Sequence, residues 1–165
     1  MKQIAVDPAG WVSFEGFRFR CALGKGGVRA DKREGDGATP IGRFALRQLF
    51  YRPDKLSAPD CKLTRAAISP EDGWCDDPAH PDYNRLVRLP HPARCETMWR
   101  DDGCYDLVVP LGYNDDPPVA GLGSAIFLHV ARPGYSPTEG CVALAYDDLL
   151  TLLAALPADV EMAIA

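Results

Sequence analysis

Between residues 125 and 144 the chain reads AIFLHVARPGYSPTEGCVAL, and this stretch constrains the fold more than any other. The apolar run Ala125-Ile126-Phe127-Leu128 predicts a buried strand that ends at His129. Pro133-Gly134 and Pro137 interrupt regular structure, so a short turn is expected to reverse the chain there. Thr138-Glu139-Gly140-Cys141 then leads into a second apolar run, Val142-Ala143-Leu144. One strand delivers an imidazole at its end, and a Gly-Cys pair enters the next.

That pairing has a chemical use. A free thiol is mostly protonated at neutral pH, whereas the thiolate attacks carbonyls, and a neighbouring imidazole can take the proton. Cys141 is therefore the candidate nucleophile and His129 the candidate base. Gly140, lacking a side chain, would let substrate approach the backbone, and the N–H groups of Glu139, Gly140 and Cys141 could face a developing oxyanion. A cysteine or histidine taken alone is far more often core packing. Strand, breaker-rich turn and Gly-Cys together favour the catalytic reading.

The pattern resembles the L,D-transpeptidase (YkuD-like) catalytic domains, which act on bacterial peptidoglycan. Their signature is a strand-end His, a loop, then Ser/Thr-x-Gly-Cys, an aliphatic residue and usually Arg. His129, Thr138, Gly140, Cys141 and Val142 match in that order, and upstream Thr39-Pro40-Ile41-Gly42-Arg43-Phe44 is similar to the family's Thr-Pro-x-Gly-x-Phe. The resemblance runs from about Cys21 to Leu144. The chain departs from it at Ala143, where Arg is usual, at Glu139, where His is common, and in a shorter His-to-Cys loop. It implies a mainly β, single-domain sandwich or barrel-like fold of the YkuD type over residues 1–165, with one C-terminal helix. It also implies a murein stem peptide or muropeptide as substrate, no metal or organic cofactor, and an aromatic over the cleft, for which Tyr113 is the candidate.

Composition excludes several alternatives. A net charge of −5 leaves no basic footprint for nucleic acid. No run approaches the ~20 apolar residues of a membrane helix. Asp7, Pro8 and Gly10 break the stretch where a signal peptide would be continuous, so a cytoplasmic protein is expected, or a periplasmic one if an upstream segment has been removed. In a reducing cytosol the six cysteines are expected as free thiols.

Along the chain, short strands are predicted at Gln3–Val6, Trp11–Phe14 and Phe17–Leu23, separated by Gly-containing turns. The Gly- and charge-rich run from Gly24 to Gly37 lacks the spacing of a phosphate loop. Its Lys25 and Arg29 are candidates for gripping substrate carboxylates. Arg43–Tyr51 reads as a strand, and residues 52–89 as short strands and long loops. A short helix is predicted near 92–100 with Pro92 at its start, a strand at Cys104–Val109, a helix at Tyr146–Leu156 ended by Pro157, and a closing strand at Val160–Ile164.

Cys75, Asp76, Asp77, His80, His91 and Cys95 fall within 21 residues, but their spacing matches no common zinc finger, so no metal is expected. The acidic pairs Asp101-Asp102 and Asp115-Asp116 read as solvated turns. The functional expectation is a cysteine acyl-transfer enzyme, an L,D-carboxypeptidase releasing terminal D-Ala from tetrapeptide fragments in cytosolic recycling. Cys141 and His129 carry the chemistry, Gly140 the oxyanion region and Thr138 the loop orientation. Arg132 and Glu139 join Lys25, Arg29 and Tyr113 as substrate contacts. An L,D-transpeptidase, or a domain that only binds murein fragments, are the alternatives.

Overall fold

The computed structural model describes residues 1–165. Its strands are β1 (Lys2–Asp7), β2 (Trp11–Phe14), β3 (Phe17–Ala22), β4 (Val28–Arg29), β5 (Thr39–Pro40), β6 (Gly42–Ala45), β7 (Leu49–Tyr51), β8 (Arg65–Ala67), β9 (Asp72–Cys75), β10 (Leu86–Arg88), β11 (Cys95–Thr97), β12 (Leu107–Pro110), β13 (Phe127–Val130), β14 (Val142–Leu144) and β15 (Val160–Ile164), with one helix, α1 (Tyr146–Ala155). Ten strands form one sheet in the order β6-β15-β1-β2-β3-β14-β13-β12-β7-β8.

The sheet curls until its β6 edge meets β12. There Leu46 bridges Leu111, Arg47 N–H donates to the Pro110 carbonyl (2.9 Å), and Gly112 N–H donates to the Ala45 carbonyl (2.8 Å). This closure is the barrel-like feature expected of the sequence. Strand alternation supplies the core, since β1, β2 and β15 bury Ile4, Val6, Val12, Phe14, Val160, Met162 and Ile164 while their other face is exposed or half-buried. Helix α1 covers that core with Leu149, Leu152 and Leu153, and Leu156 follows at the same 3.6-residue spacing.

The central strands are buried on both faces. Leu128 of β13 and Val142 and Leu144 of β14 point into the main core. Phe127 joins a second apolar cluster on the opposite face with Phe50, Met98, Tyr105, Val108 and Cys141. A three-stranded sheet, β10-β9-β11, stands over this second face, where Trp74 of β9 packs edge-on against Phe127 at 5.0 Å.

Four local expectations are corrected. The segment near 92–100 is not helical, because Cys95–Thr97 pairs antiparallel with β9, and cross-strand pairing outweighs a weak local preference. The run Arg43–Tyr51 is two strands, split where Leu46 makes the closing bridge. The strand expected from Cys104 begins only at Leu107, since Cys104 N–H is held by Asp102 Oδ1 (3.1 Å) and Asp106 N–H by the Gly103 carbonyl (3.2 Å) in a turn. Finally, residues 131–141 do not form a reversing turn, because β13 and β14 pair in parallel. The chain climbs back through a 3-10 turn at Pro133–Tyr135, as a parallel pair requires.

Candidate active site

The parallel register decides where the two candidate catalytic side chains stand. His129 lies opposite Ala143, and Cys141 precedes Ala143 by two residues, so imidazole and thiol share one sheet face as diagonal neighbours. The methyl of Ala143 leaves that face open. Each of the two residues is 7% exposed, and both line one cleft of about 330 Å³.

His129 Nδ1 lies 2.9 Å from the Val130 carbonyl. A carbonyl only accepts, so Nδ1 carries the ring proton and Nε2 is the basic nitrogen. Tyr105 packs edge-on against the ring at 5.4 Å. Burial pushes the imidazole down to about 4 despite the Val130 hydrogen bond, with Arg100 and Arg132 adding to the effect.

The Cys141 thiol accepts from Phe127 N–H (3.3 Å) and donates to the Ala125 carbonyl (3.3 Å). Burial pushes it up to about 12, with the Phe127 N–H opposing and the Glu96 charge reinforcing. The resting pair is thus a neutral thiol and a neutral imidazole, and no hydrogen bond joins them. Proton transfer requires the sulfur to leave Ala125 as the substrate carbonyl arrives. Ala125 has φ 55, and the buried Asn84 holds it there by accepting its N–H at Oδ1 (3.0 Å).

The turn before Cys141 is fixed from both sides. Thr138 Oγ1 accepts Gly140 N–H (3.1 Å) and donates to the Cys141 carbonyl (2.8 Å), which ties the loop on either side of Glu139 and Gly140. Gly140 has φ 132, and a Cβ there would lie 2.6 Å from the Ala38 carbonyl. Only glycine fits, and the reason is the loop packed behind it rather than an approaching substrate. Of the three expected oxyanion donors, Gly140 N–H is occupied, while Glu139 and Cys141 N–H have no partner in the fold. The loop behind is the one carrying the second motif. Gly24 bridges Thr138, and Gly24 N–H donates to Thr39 Oγ1 at 2.8 Å.

Charge surrounds this centre. Arg132 lines the cleft, half-exposed, and is held only by a 3.4 Å contact to Asp102. Arg100 grips the same carboxylate more tightly, at 2.5 Å, and this pairing above all holds Asp102 well below the usual carboxylate range. Lys32 is buried and paired with Asp36 at 2.8 Å. Glu96 accepts the Tyr105 hydroxyl at 2.7 Å, and burial still raises its carboxyl to about 7.

Of the other expected contacts Glu139 lines the cleft, and Lys25, Arg29 and Tyr113 do not. Glu139 stands at the cleft rim and pairs with Lys25 (3.0 Å), which does not line the cleft. Arg29 is exposed and paired with Asp31 (3.1 Å). Tyr113 donates its hydroxyl to the Leu122 carbonyl and packs edge-on against Phe44 at 5.5 Å, away from the cleft. Sequence reasoning missed Glu34, Glu96, Arg100 and Tyr105 as cleft residues, and of the basic residues in the run from Gly24 to Gly37 it is Lys32 that lines the cleft. From the cysteine- and histidine-containing cluster the fold gathers Cys75, His91 and Cys95, while Asp76 pairs with Arg94.

No curated protein matches the chain, and no solved structure does. The family model for the YkuD L,D-transpeptidase catalytic domain matches residues 12–162, which include both motifs and every cleft residue named above. With a histidine and a cysteine on one face of the curled sheet and the family pattern running through nearly its whole length, the chain belongs to the L,D-transpeptidase catalytic domain family.

Proposed function

We propose that this member of the family is an L,D-carboxypeptidase, removing the terminal D-amino acid from soluble tetrapeptide stems freed during wall turnover. The family performs cysteine acyl transfer on peptidoglycan peptides. In the proposed reaction Cys141 Sγ attacks the carbonyl at the L-centre of the diamino acid, and His129 Nε2 takes the thiol proton. The N–H groups of Cys141 and Glu139 receive the oxyanion. The imidazolium then protonates the departing D-Ala amine. Water, deprotonated by Nε2, opens the thioester and restores the thiol.

The observation that carries the reading of a tetrapeptide end as acyl donor is Arg132, a half-exposed cation on the wall of the cleft that holds Cys141. It suits a free terminal carboxylate one residue beyond the scissile bond. The volume of about 330 Å³ favours water over a second stem as the acceptor, because it lies at the small end for ligand sites and fits one peptide end better than a donor and an acceptor stem together.

Incubation with a tetrapeptide stem in ¹⁸O-water, with and without excess D-Met, tests this by product mass. Loss of D-Ala with one heavy oxygen in the tripeptide is the expected result. D-Met incorporation as the main product would mean transfer, and an unchanged stem would mean binding alone. A stem amidated at its C-terminus should be a much poorer substrate, and Arg132→Ala should erase that difference.

A further inference from the structure

On the small sheet, Cys75 of β9 lies directly opposite Cys95 of β11. Met98 N–H donates to the Asp72 carbonyl (3.0 Å) and Asp76 N–H to the Arg94 carbonyl (3.2 Å). These flanking pairs are the hydrogen-bonded ones, so 75/95 is a non-hydrogen-bonded pair, where antiparallel strands bring side chains closest. The loop after β10 lays His91 against the two sulfurs. His91 Nδ1 is 3.5 Å from Cys95 Sγ, and the ligand atoms of Cys75, His91 and Cys95 all lie within 4.8 Å of one another.

The far side of the imidazole is also organised. His91 Nε2 sits 2.9 Å from Asp82 Oδ2. A carboxylate accepts, so Nε2 carries the proton and Nδ1 presents a lone pair toward the sulfurs, the tautomer a metal ligand needs. In the fold that lone pair accepts Ala93 N–H at 3.1 Å, a single backbone bond that a metal would replace. Zinc–sulfur and zinc–nitrogen bonds of about 2.3 and 2.1 Å at the tetrahedral angle place S and N about 3.6 Å apart. The observed 3.5 Å leaves little to adjust.

We propose that Cys75, Cys95 and His91 bind a zinc ion, with Asp82 orienting the histidine and the fourth position left to His80 or water. The His80 ring stands edge-on to His91 at 4.7 Å. Binding releases the two thiol protons and changes no oxidation state. A simple cross-strand disulfide would use the two sulfurs but gives no role to an imidazole turned toward them and braced by a carboxylate, and all six cysteines are free thiols. The site lies outside the acyl-transfer centre yet bears on it. Trp74 and Glu96, the residues next to Cys75 and Cys95, point to the opposite face, where Trp74 packs on Phe127 and Glu96 lines the cleft. The ion would stiffen the wall of the active site.

The test uses the purified full-length chain, chelator-stripped and kept under a thiol-free reductant, titrated with Co²⁺ and then Zn²⁺. One equivalent of cobalt should give thiolate charge-transfer absorption and the intense visible bands of a tetrahedral ion, both bleached by one equivalent of zinc. Cys95→Ser and His91→Ala should abolish the bands, and the milder Asp82→Asn should keep them with affinity lowered about 10-fold or more. Cys141→Ala should leave the titration unchanged, which separates this site from the nucleophile. Failure of the wild-type chain to bind zinc tighter than micromolar would overturn the proposal, as would bands that survive in a Cys75→Ser/Cys95→Ser chain or a Cys75–Cys95 disulfide as the only form isolated.

Discussion

Replacing Glu96 by Gln gives the most quantitative test of the cleft. Its carboxyl ordinarily titrates at 4.5, and burial raises it to about 7 in the fold. Between those values the folded chain holds a proton that the unfolded chain has released, so stability falls as pH rises from about 4.5 to about 7 and is level above. A gap of about 2.5 pH units corresponds to about 3 kcal/mol. The side chain is only partly buried and meets solvent in the cleft, which reduces the expected effect to about 2 kcal/mol. Glutamine does not titrate and keeps an oxygen to accept the Tyr105 hydroxyl, which now donates at 2.7 Å. Urea unfolding of both chains at a series of pH values measures the difference. Glu96→Gln should match the wild type near pH 4.5 and exceed it by about 2 kcal/mol at pH 8. His129 titrates in the same range with opposite sign, but it is present in both chains and cancels. A difference independent of pH, or a variant less stable at pH 8, would refute the reasoning.

The Cys141 thiol, held up to about 12, should react slowly with iodoacetamide at pH 7, and Glu96→Gln should move its alkylation profile to lower pH by removing a nearby negative charge. His129→Gln should abolish peptide turnover. Because the folded imidazole is depressed to about 4 from 6.5, this variant should also lose less stability than the wild type between pH 6.5 and 4, read by the same unfolding series. Gly140→Ala should destabilise the fold by about 2–4 kcal/mol and remove activity, since the new Cβ meets backbone at a positive φ. Asn84→Leu should cost about 2–3 kcal/mol in thermal or chemical unfolding, because the side chain bonds Trp74, Ala125 and the Tyr113 and Asn114 carbonyls.

The pairing of His129 and Cys141 in one cleft was legible because they sit in a local pattern, an apolar strand, breakers and Gly-Cys, in which a few neighbours fix each residue's surroundings. The strands β1, β2 and β15 and the helix α1 were legible for the same reason, since alternation and leucine spacing are written within each segment. The cleft walls were not. Arg100 acquires its role from Asp102, Lys32 from Asp36 and Glu96 from Tyr105, and no local period marks which charge ends up beside His129. Lys25 and Arg29 looked equally suited to bind substrate, but the former is drawn to Glu139 and the latter to Asp31. The short helix near 92–100 failed where a three-residue strand found a partner in β9, information that lies some twenty residues upstream.

Strand β15 lies between β1 and β6, parallel to one and antiparallel to the other, and so joins the earliest-made part of the sheet to the edge that closes on β12. During synthesis from the amino end, that gap stays open until the segment through Ile164 has left the ribosome. The loop that presses on Gly140 runs directly into β6, so its final seating waits on the same event. Seating of the Cys141 sulfur is thereby tied to completion of the whole sheet, and an unfinished chain would carry its cysteine and histidine without the scaffold that brings them to one face.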